Sequence, residues 1–430
     1  MTQVLESVTE STVGFLNRLF AHVPLENVSI RLWDGTRWPD DKPRAATVVL
    51  KHPGALRGML DAGTAKGLGE AYVRDDFDVE GDFEQATELA LALENRPSGW
   101  LDALTDFYQL HRLPAAPRAA GETERAVDLR HGPRHSPGRD KAAVSFHYDM
   151  SNDFYRIWLD REMVYSCGYF ETPGESLEAA QTAKFRHLGR KLRLQPGQQL
   201  LDIGCGWGGF ARHAARACGV GVTGITLSTQ QATLAAELSR QAGLGEKVMI
   251  ELRDYREVRR PAAGYDAMVS VGMAEHVGRE NLVGYFRAMH ALLKPGGVFL
   301  NHAIGEGRRA NRFRGPSFLD EHVFPDSDIP PLPLVLQAAE TAGFEIRDVE
   351  NLREHYTLTL RHWVRRLEAG HEQARALVGE AAYRVWRLYL AVSAHGFDRG
   401  DLAVYQTLLA KPGADGRLRL PLTRRDWYAA

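Results

Sequence analysis

Residues 200–210, LLDIGCGWGGF, identify the fold class of this chain. It begins as an apolar run of the kind that forms a buried strand, and it ends in four glycines, Gly204, Gly206, Gly208 and Gly209. Glycine lets a backbone turn sharply and lie directly against a ligand, because no side chain intervenes. A strand with such a turn is typical of nucleotide-binding proteins, and the glycine spacing alone does not distinguish NAD from S-adenosylmethionine.

Strand-like and helical segments alternate around this turn. The strand-like segments are QLLDIG, GVTGITLS, KVMIELRDY, YDAMVSVGM and GGVFLNHAIG, and helical patterns separate most of them. This alternation predicts an α/β fold with a doubly wound, largely parallel, Rossmann-like sheet. Ligands of such a sheet bind beyond the carboxyl ends of its strands.

The length of the chain, 430 residues, predicts more than one domain. We assign residues 1–112 to a smaller α+β domain, in which the glycine-rich GTAKGLGEAYV interrupts helical and strand-like patterns. Residues 113–141, rich in Pro, Gly and Arg, form an exposed linker, and residues 142–430 form a catalytic domain. Helical patterning from about residue 361 to 410 predicts a helical cap on the catalytic domain.

Composition and charge disfavour several classes of protein. A net charge of -2 without a basic-aromatic pattern gives little support to nucleic-acid binding. The three cysteines, Cys167, Cys205 and Cys218, show no paired spacing, so we expect neither disulfides nor a metal site, and we expect a reducing cytoplasm. No apolar run is long enough to span a bilayer, so any membrane contact is expected to be peripheral.

The strand after the glycine turn weakens the case for NAD. Proteins that bind dinucleotides place an acid about twenty residues after the turn, at the end of the next strand, to hold the ribose hydroxyls. Here that strand ends in Thr226, Leu227 and Ser228. The missing acid is also unusual for methyltransferases in general, many of which have Asp or Glu at this place.

The end of this strand resembles that of one family, the cyclopropane-fatty-acyl-phospholipid synthases and their mycolic acid relatives. These proteins have Thr-Leu-Ser-x-x-Gln there, which Thr226 to Gln231 match. Six further segments resemble the family in the same order, namely HYDMSNDFY, VYSCGYF, LDIGCGWGG, LRDYRE, VGMAEHVG and NHAIG. The resemblance covers about residues 140–410, and it implies a class I methyltransferase fold that uses S-adenosylmethionine.

The resemblance implies a set of contacts to S-adenosylmethionine. Tyr165 and Ser166 would close over it, the glycine turn would meet its amino acid part, and Asp254 and Tyr255 would flank its adenine. The strand end from Thr226 to Gln231 would contact its ribose. The complete implied set is Tyr165, Ser166, Asp202, Gly204, Gly206, Gly208, Gly209, Thr226, Ser228, Gln230, Gln231, Asp254 and Tyr255.

The resemblance also implies a bound bicarbonate ion as the catalytic base, with ligands matching Cys167, Glu275, His302, Tyr356 and, through its backbone, Ile304. Taken alone, a histidine after a buried strand and a buried cysteine are more often packing residues. An acid directly after the apolar run AMVSVGMA is costly unless it is used or paired. Because a carboxylate beside an anion must share a proton with it, we expect a perturbed pKa there.

The expected activity is transfer of a carbon from S-adenosylmethionine to the cis double bond of an unsaturated fatty acyl chain in phospholipid. A carbocation that loses a proton from the added methyl group would give a cyclopropane, and another fate of the cation would give a methylated or exomethylene chain. Two further alternatives are a methyltransferase for a soluble small molecule and a non-catalytic protein that binds lipid or S-adenosylmethionine.

Ser393, in YLAVSAHGF, stands where bacterial phospholipid members of the family commonly have a cysteine. A mechanism with a nucleophilic cysteine would lack its residue, whereas a bicarbonate mechanism needs no such thiol. The resemblance further implies a homodimer. We expect a location in the cytoplasm, peripheral to the inner face of the cell membrane. In GEGRRANRFRGP four arginines would attract an anionic surface, and the alternative is a solvated loop without this role. They are Arg308, Arg309, Arg312 and Arg314.

Overall fold

The computed structural model describes residues 2–21, 25–61, 64–94, 100–116, 136, 138–139, 150–308, 318, 323 and 328–428. These residues form two compact units. As far as the structure describes them, residues 1–126, 315–323 and 378–395 form one unit, and residues 127–314, 324–377 and 396–430 form the other. Most of the predicted linker 113–141 lies outside the described residues.

The first unit is an α+β structure with a four-stranded sheet. Its strands are β1 (Val28–Arg31), β2 (Arg37–Trp38), β3 (Ala46–Leu50) and β4 (Phe77–Gly81), in the order β2-β1-β3-β4. Strands β1 and β3 are parallel, and the other two pairs are antiparallel. Its N-terminal helices are α1 (Thr2–Leu19), α2 (Ala55–Leu60), α3 (Thr64–Val73), α4 (Phe83–Glu94) and α5 (Trp100–Arg112).

Helix α3 covers the glycine-rich segment that we expected to interrupt the regular pattern. Its Gly69 explains the difference, because a Cβ atom there would lie only 2.5 Å from the ring of Phe318. The glycine therefore allows an aromatic ring to approach the helix backbone closely, which outweighs its low helix propensity.

Residues 378–395, which the sequence pattern placed in the catalytic domain, belong to this first unit. Arg384 accounts for the attachment. Its buried guanidinium donates to the backbone carbonyls of Tyr72 and Phe77, at 3.0 and 3.3 Å, and to the carboxylate of Asp78 at 2.9 Å. One side chain thus satisfies several acceptors around the start of β4.

The second unit contains a seven-stranded sheet. Its strands are β5 (Gln199–Ile203), β6 (Gly221–Thr226), β7 (Val248–Leu252), β8 (Tyr265–Val271), β9 (Leu293–Glu306), β10 (Glu345–Asn351) and β11 (Leu402–Ala410), in the order β10-β11-β9-β8-β5-β6-β7. The strands from β7 to β9 in this order are parallel, and β11 is antiparallel to both of its neighbours. This confirms the predicted doubly wound, Rossmann-like sheet, whose strand order reverses direction at β5 and β8.

Helices cover both faces of this sheet. The helices that follow β4 and α5 in the chain are α6 (Asn152–Trp158), α7 (Leu177–Lys191), α8 (Gly209–Cys218), α9 (Thr229–Gln241), α10 (Leu282–Leu292), α11 (Leu332–Thr341), α12 (Arg353–Ala369), α13 (His371–Val378), α14 (Glu380–Arg399) and α15 (Arg425–Tyr428), and all of them except most of α14 belong to the second unit. Helix α14 extends from the first unit into the second. In β5, Leu200 enters the apolar core with α7 and α8, and Leu201 enters the core with α10, because neighbouring strand residues face opposite sides.

The predicted helical pattern up to residue 410 is wrong for residues 402–410, which form strand β11. The segment LAVYQTLLA is almost continuously apolar, and it is buried between β9 and β10. A short run that is buried on both faces shows neither helical nor alternating periodicity, so its pattern does not identify it as a strand.

None of the described helices is both long and apolar enough to cross a membrane. The described part of the chain contains no group of three or more His, Cys, Asp and Glu side chains that could hold a metal ion. All three cysteines, Cys167, Cys205 and Cys218, are free thiols.

We expect Arg384→Met to lower the free energy of unfolding by about 2 to 3 kcal/mol, because buried carbonyls and Asp78 lose their donor. Arg375→Met is the matched control, since Arg375 pairs with Glu372 in an exposed ion pair worth less than about 0.5 kcal/mol. Urea denaturation of both variants measures the difference. Equal losses would contradict the role given to Arg384.

Candidate functional site

A cavity lies at the carboxyl ends of β5, β6 and β8. Ten of the thirteen predicted cofactor residues line it, namely Tyr165, Ser166, Asp202, Gly204, Gly206, Gly209, Thr226, Gln231, Asp254 and Tyr255. The other three, Gly208, Ser228 and Gln230, are not part of its lining. The sheet therefore gathers residues that are distant in sequence at the edge where ligands of this fold bind.

The glycine turn needs glycine for two reasons. Gly204, Gly206 and Gly208 adopt positive φ angles of 72°, 55° and 76°, which other residues rarely adopt. At Gly209 a Cβ atom would lie 3.0 Å from the backbone oxygen of Glu162. Gly208 immediately precedes α8 as its N-terminal cap, so it shapes the turn without facing the cavity.

Hydrogen bonds fix the end of β6. The hydroxyl of Thr226 donates to Oε1 of Gln231 at 2.7 Å and accepts the N–H of Ser228 at 3.2 Å. Oγ of Ser228 in turn accepts the N–H of Gln231 at 3.3 Å and so caps α9. Ser228 thus serves the start of the helix, while Thr226 and Gln231 line the cavity.

Asp254 stands at the end of β7 and holds a neighbouring arginine. Its carboxylate accepts the backbone N–H of Arg256 at 2.9 Å and the guanidinium at 2.8 and 2.6 Å. The same guanidinium lies 5.2 Å from the ring centre of Tyr255. Asp254 therefore orients two further side chains in the wall of the cavity.

The segment of residues 165–168 is fixed by helices α7 and α12. On Ser166, the hydroxyl accepts Nζ of Lys184 at 2.8 Å, and the carbonyl accepts Nε2 of Gln181 at 2.9 Å. The N–H of Gly168 donates to the hydroxyl of Thr359 at 2.9 Å. The segment that carries Tyr165, Ser166 and Cys167 is consequently held in one position.

Lys184 is a cavity residue that the sequence patterns did not reveal. Its side chain is fully buried, and among the described residues the hydroxyl of Ser166 is the one hydrogen-bond partner of its ammonium group. Burial lowers the pKa of Lys184 to about 8 and raises the pKa of Asp202 to about 7, and the two charges attract each other. A lysine on the apolar face of a helix was the available signal, since Lys184 lies four residues from Ala180 and Leu188, which are buried.

Glu275 lies in a 3-10 turn just after β8. Its Oε1 accepts the backbone N–H of Ile304 on β9 at 2.7 Å, and its buried Oε2 has no hydrogen-bond partner among the described residues. Burial raises the pKa of Glu275 to about 7. The pKa is perturbed as expected, and here burial alone is sufficient as the cause.

His302 is buried on β9, two residues before Ile304. Burial lowers the pKa of His302 to about 3, and the charges of Lys184 and Lys191 act in the same direction. The imidazole is therefore neutral near pH 7. Its Nδ1 lies 3.2 Å from Nε2 of Gln406 on β11.

Cys167 is completely buried, and its thiol donates to the backbone oxygens of Gly168 at 3.1 Å and Leu352 at 3.7 Å. Burial raises the pKa of the thiol, so Cys167 is uncharged. Leu352 precedes α12, and its N–H donates to the carbonyl of Val404 at 2.8 Å.

Val404 is paired with Ile304 across β11 and β9, so a continuous set of contacts leads from Cys167 to the strand that carries His302. Tyr356 lies in the first turn of α12, directly after this connection, and is buried. Its ring centre is 4.6 Å from that of Phe397 and 6.0 Å from that of Trp363. The predicted acid, imidazole, thiol and phenol are thus all buried, and the contacts through Leu352 and Val404 connect their elements to β9.

The strand order, the glycine turn and the cavity define the class of this protein as the S-adenosylmethionine-dependent methyltransferases. The family model of mycolic acid cyclopropane synthetase matches residues 135–407. The chain belongs to this family, as the sequence motifs predicted.

Similar proteins agree with this assignment. A probable fatty acid methyltransferase of Pseudomonas putida is 40% identical over 411 residues, which are 95% of this chain and 97% of that protein. The cyclopropane-fatty-acyl-phospholipid synthase of Escherichia coli is 33% identical over 377 residues, 87% of this chain and 90% of that one. The crystal structure of mycolic acid cyclopropane synthase CmaA1 with SAH and CTAB matches 63% of this chain and 98% of its own, with 36% identity and a TM-score of 0.59. The chain is thus an enzyme of a family that transfers methylene or methyl groups to lipid double bonds.

We expect Lys184→Met to weaken the binding of S-adenosylmethionine about tenfold or more, because the cavity loses its buried cation and the hydroxyl of Ser166 loses its donor. Arg186→Met, on the exposed face of the same helix, is expected to leave the affinity unchanged. Isothermal titration calorimetry of the folded variants compares them. Unchanged binding by Lys184→Met would show that this lysine supports the fold alone.

The pKa of Glu275 predicts a pH dependence of stability. Between about pH 4.5 and 7 folded Glu275 retains a proton that the unfolded chain has released, so the wild type loses stability as the pH rises through this range. Gln has no such proton, so we expect the stability of Glu275→Gln relative to wild type to rise by about 3 kcal/mol between pH 4 and pH 8. Asp202 titrates in both proteins and cancels in the difference. Urea denaturation across this range measures it, and a constant difference would mean that Glu275 is ionised in the folded protein.

Proposed function

We propose that this enzyme transfers the methyl carbon of S-adenosylmethionine to the cis double bond of an unsaturated fatty acyl chain in phospholipid, and that the product is a cyclopropane. The observation that carries this proposal is the environment of Glu275. One oxygen of this buried acid is held by Ile304, and the other has no partner in the described structure. A buried acid with a free oxygen and a raised pKa is typical of a reaction site.

The chemistry explains what such a site must do. The π electrons of the alkene form a bond to the methyl carbon while the bond from that carbon to sulfur breaks, which leaves S-adenosylhomocysteine and a carbocation on the chain. Loss of one proton from the added methyl group then provides the electron pair that closes the ring. The protein must therefore exclude water from the cation and hold a group that takes one proton.

We propose bicarbonate as that base, and the buried residues fit such an anion. With a pKa of about 7, Glu275 can share a proton with it, which avoids two adjacent negative charges. Neutral His302, Cys167 and Tyr356 would bind it without adding charge. Ile304 would contribute through Glu275, because its N–H already holds that carboxylate. When bound, the ion would supply the base for ring closure.

Aromatic rings support the part of the proposal that concerns the cation. The ring of Tyr165, in the cavity wall, lies 5.3 Å from the rings of both Trp158 and Trp363, which are fully buried. Such a cluster excludes water, and each aromatic face near a cation contributes about 0.5 to 2 kcal/mol. We assign Trp158 and Trp363 to shielding of the cation from water. We assign Tyr165 and Tyr356 to direct stabilisation of the cation.

A second candidate is methyl transfer that gives a methylated or exomethylene chain. It is favoured by the name of the Pseudomonas putida relative, a probable fatty acid methyltransferase, which shares 40% identity over nearly the whole chain. Loss of a proton from a carbon of the chain would leave a methyl branch, and a hydride shift before loss of a methyl proton would leave an exomethylene group. The same buried residues serve each route, so the position of the cation relative to the base decides the product.

We further propose that residues 1–112 associate with lipid or with the second subunit of a homodimer. Residues 113–141 would be the linker, and residues 142–430, apart from 378–395 in the first unit, would be the catalytic part. The Escherichia coli relative, named as acting on fatty acyl phospholipid, supports a phospholipid substrate. Such a substrate requires contact with the inner face of the cell membrane from the cytoplasm. Of the four arginines assigned to this contact, Arg308 is described, and Arg309, Arg312 and Arg314 lie outside the described residues.

The test is a reaction of the purified protein with labelled S-adenosylmethionine, bicarbonate and vesicles of cis-monounsaturated phospholipid. Mass spectrometry and proton NMR of the released fatty acids should show an added carbon and high-field ring protons. Vesicles of saturated phospholipid test whether the double bond is required. The free unsaturated fatty acid tests whether the acyl chain must be part of a phospholipid. Vinylic or methyl-branch signals would favour the second candidate. No labelling of the unsaturated phospholipid or of the free unsaturated fatty acid would contradict both candidate functions.

Glu275→Gln tests the residue that carries the proposal. We expect at least about a hundredfold loss of turnover with unchanged binding of S-adenosylmethionine, because the variant cannot share a proton with the base. Glu280→Gln, an exposed neighbour on the same loop, is the matched control and should keep full activity. Full activity of Glu275→Gln would contradict the proposed role of Glu275.

A further inference from the structure

We infer that Gln406 is a positioning residue that keeps the proton of neutral His302 on Nε2, so that the imidazole acts as a hydrogen-bond donor in the site. This inference rests on the proposed function, because it assigns how His302 would bind an oxygen anion. Nothing in the sequence motifs pointed to Gln406, which lies on the unpredicted strand β11.

The geometry comes from the pairing of two antiparallel strands. Gln406 on β11 is the direct partner of His302 on β9, and both side chains are buried. The amide Nε2 of Gln406 lies 3.2 Å from Nδ1 of His302. In this orientation of the amide its NH2 group faces the imidazole and can only donate, so we infer that Nδ1 accepts and carries no proton.

A neutral imidazole carries one proton, and its position follows from this contact. His302 is neutral because burial and the nearby charges of Lys184 and Lys191 all disfavour the imidazolium, while Glu350 opposes them more weakly. With Nδ1 occupied as an acceptor, the proton resides on Nε2. The described side-chain hydrogen bond of His302 is the one at Nδ1, so Nε2 can donate to a ligand.

Among the described residues, His302 is the one side-chain hydrogen-bond partner of the Gln406 amide. Glu350 is the partner of Gln406 on the other side, on β10, and its Oε2 is engaged by Lys191 and, at 2.8 Å, by His187. Among the described residues Oε1 of Gln406 has no hydrogen-bond partner. The contact to His302 is therefore the one described side-chain hydrogen bond of this amide, and its loss would leave both tautomers of His302 accessible.

The chemical consequence is that His302 can bind an oxygen anion without becoming charged. With Nε2 as donor, the imidazole complements an anion beside Glu275. With the proton on Nδ1, Nε2 would present a lone pair to the same anion and repel it. Gln406 thus acts on the anion through His302 and needs no contact of its own with the substrate.

The first test needs only the wild-type protein. In [15N]histidine-labelled protein, with the resonances of His302 assigned through His302→Asn, we expect a protonated Nε2 and an unprotonated Nδ1 without any ligand. The proton on Nδ1 would overturn the inference. Gln406→Glu should move the proton to Nδ1, because a carboxylate can only accept, whereas Gln337→Glu on the exposed face of α11 should leave the spectrum unchanged.

The second test measures turnover against bicarbonate concentration in buffers freed of carbon dioxide. Gln406→Glu and Gln406→Met should raise the bicarbonate concentration for half-maximal rate about tenfold, with unchanged affinity for S-adenosylmethionine. Equal bicarbonate requirements in both variants and wild type would contradict a role in anion binding. If wild type shows the expected tautomer and modifies lipid without any bicarbonate, the proposed base fails, while the assignment of the His302 proton stands.

Discussion

The hydrogen bond from the N–H of Ile304 to the carboxylate of Glu275 is the interaction on which the site depends. It ties the turn after β8 to the neighbouring strand β9, and it holds the acid in a buried position. Because the carboxyl group is buried, desolvation raises the pKa of Glu275 to about 7. A carboxyl group that is half protonated near neutral pH can bind an anion, which an ordinary surface glutamate would repel.

The sheet explains why the donor cavity and the buried acid adjoin. The carboxyl ends of β5 and β6 supply Asp202, the glycine turn and Thr226, and the ends of β8 and β9 supply Glu275 and His302. Strand β11 runs in the opposite direction and places Gln406 beside His302. One edge therefore carries the cavity that we propose for the polar methyl donor. The adjoining buried side chains are neutral or protonated, as the proposed carbocation reaction requires.

Local patterns predicted much of this arrangement from sequence. The five parallel strands, the glycine turn and the family motifs are short segments whose residues carry their own signal. Gln406 gave no such signal, and Lys184 gave only its position on the apolar face of a helix. Their roles arise from contacts with His302 and Ser166, which are distant in the chain. The sequence pattern of strand β11 was read as helical, because burial on both faces removes periodicity. The hydrogen bond from the N–H of Ile304 to Glu275 is visible only in the folded backbone.

The most direct measurement of the central claim uses S-adenosylmethionine with a trideuterated methyl group and a cis-monounsaturated phospholipid. If a buried base removes a proton from the transferred methyl group, the fatty acid product retains two deuterium atoms and the third is released to solvent. Mass spectrometry of the product counts them. Retention of all three would show that the proton leaves from the chain, and it would contradict ring closure by a base held at Glu275.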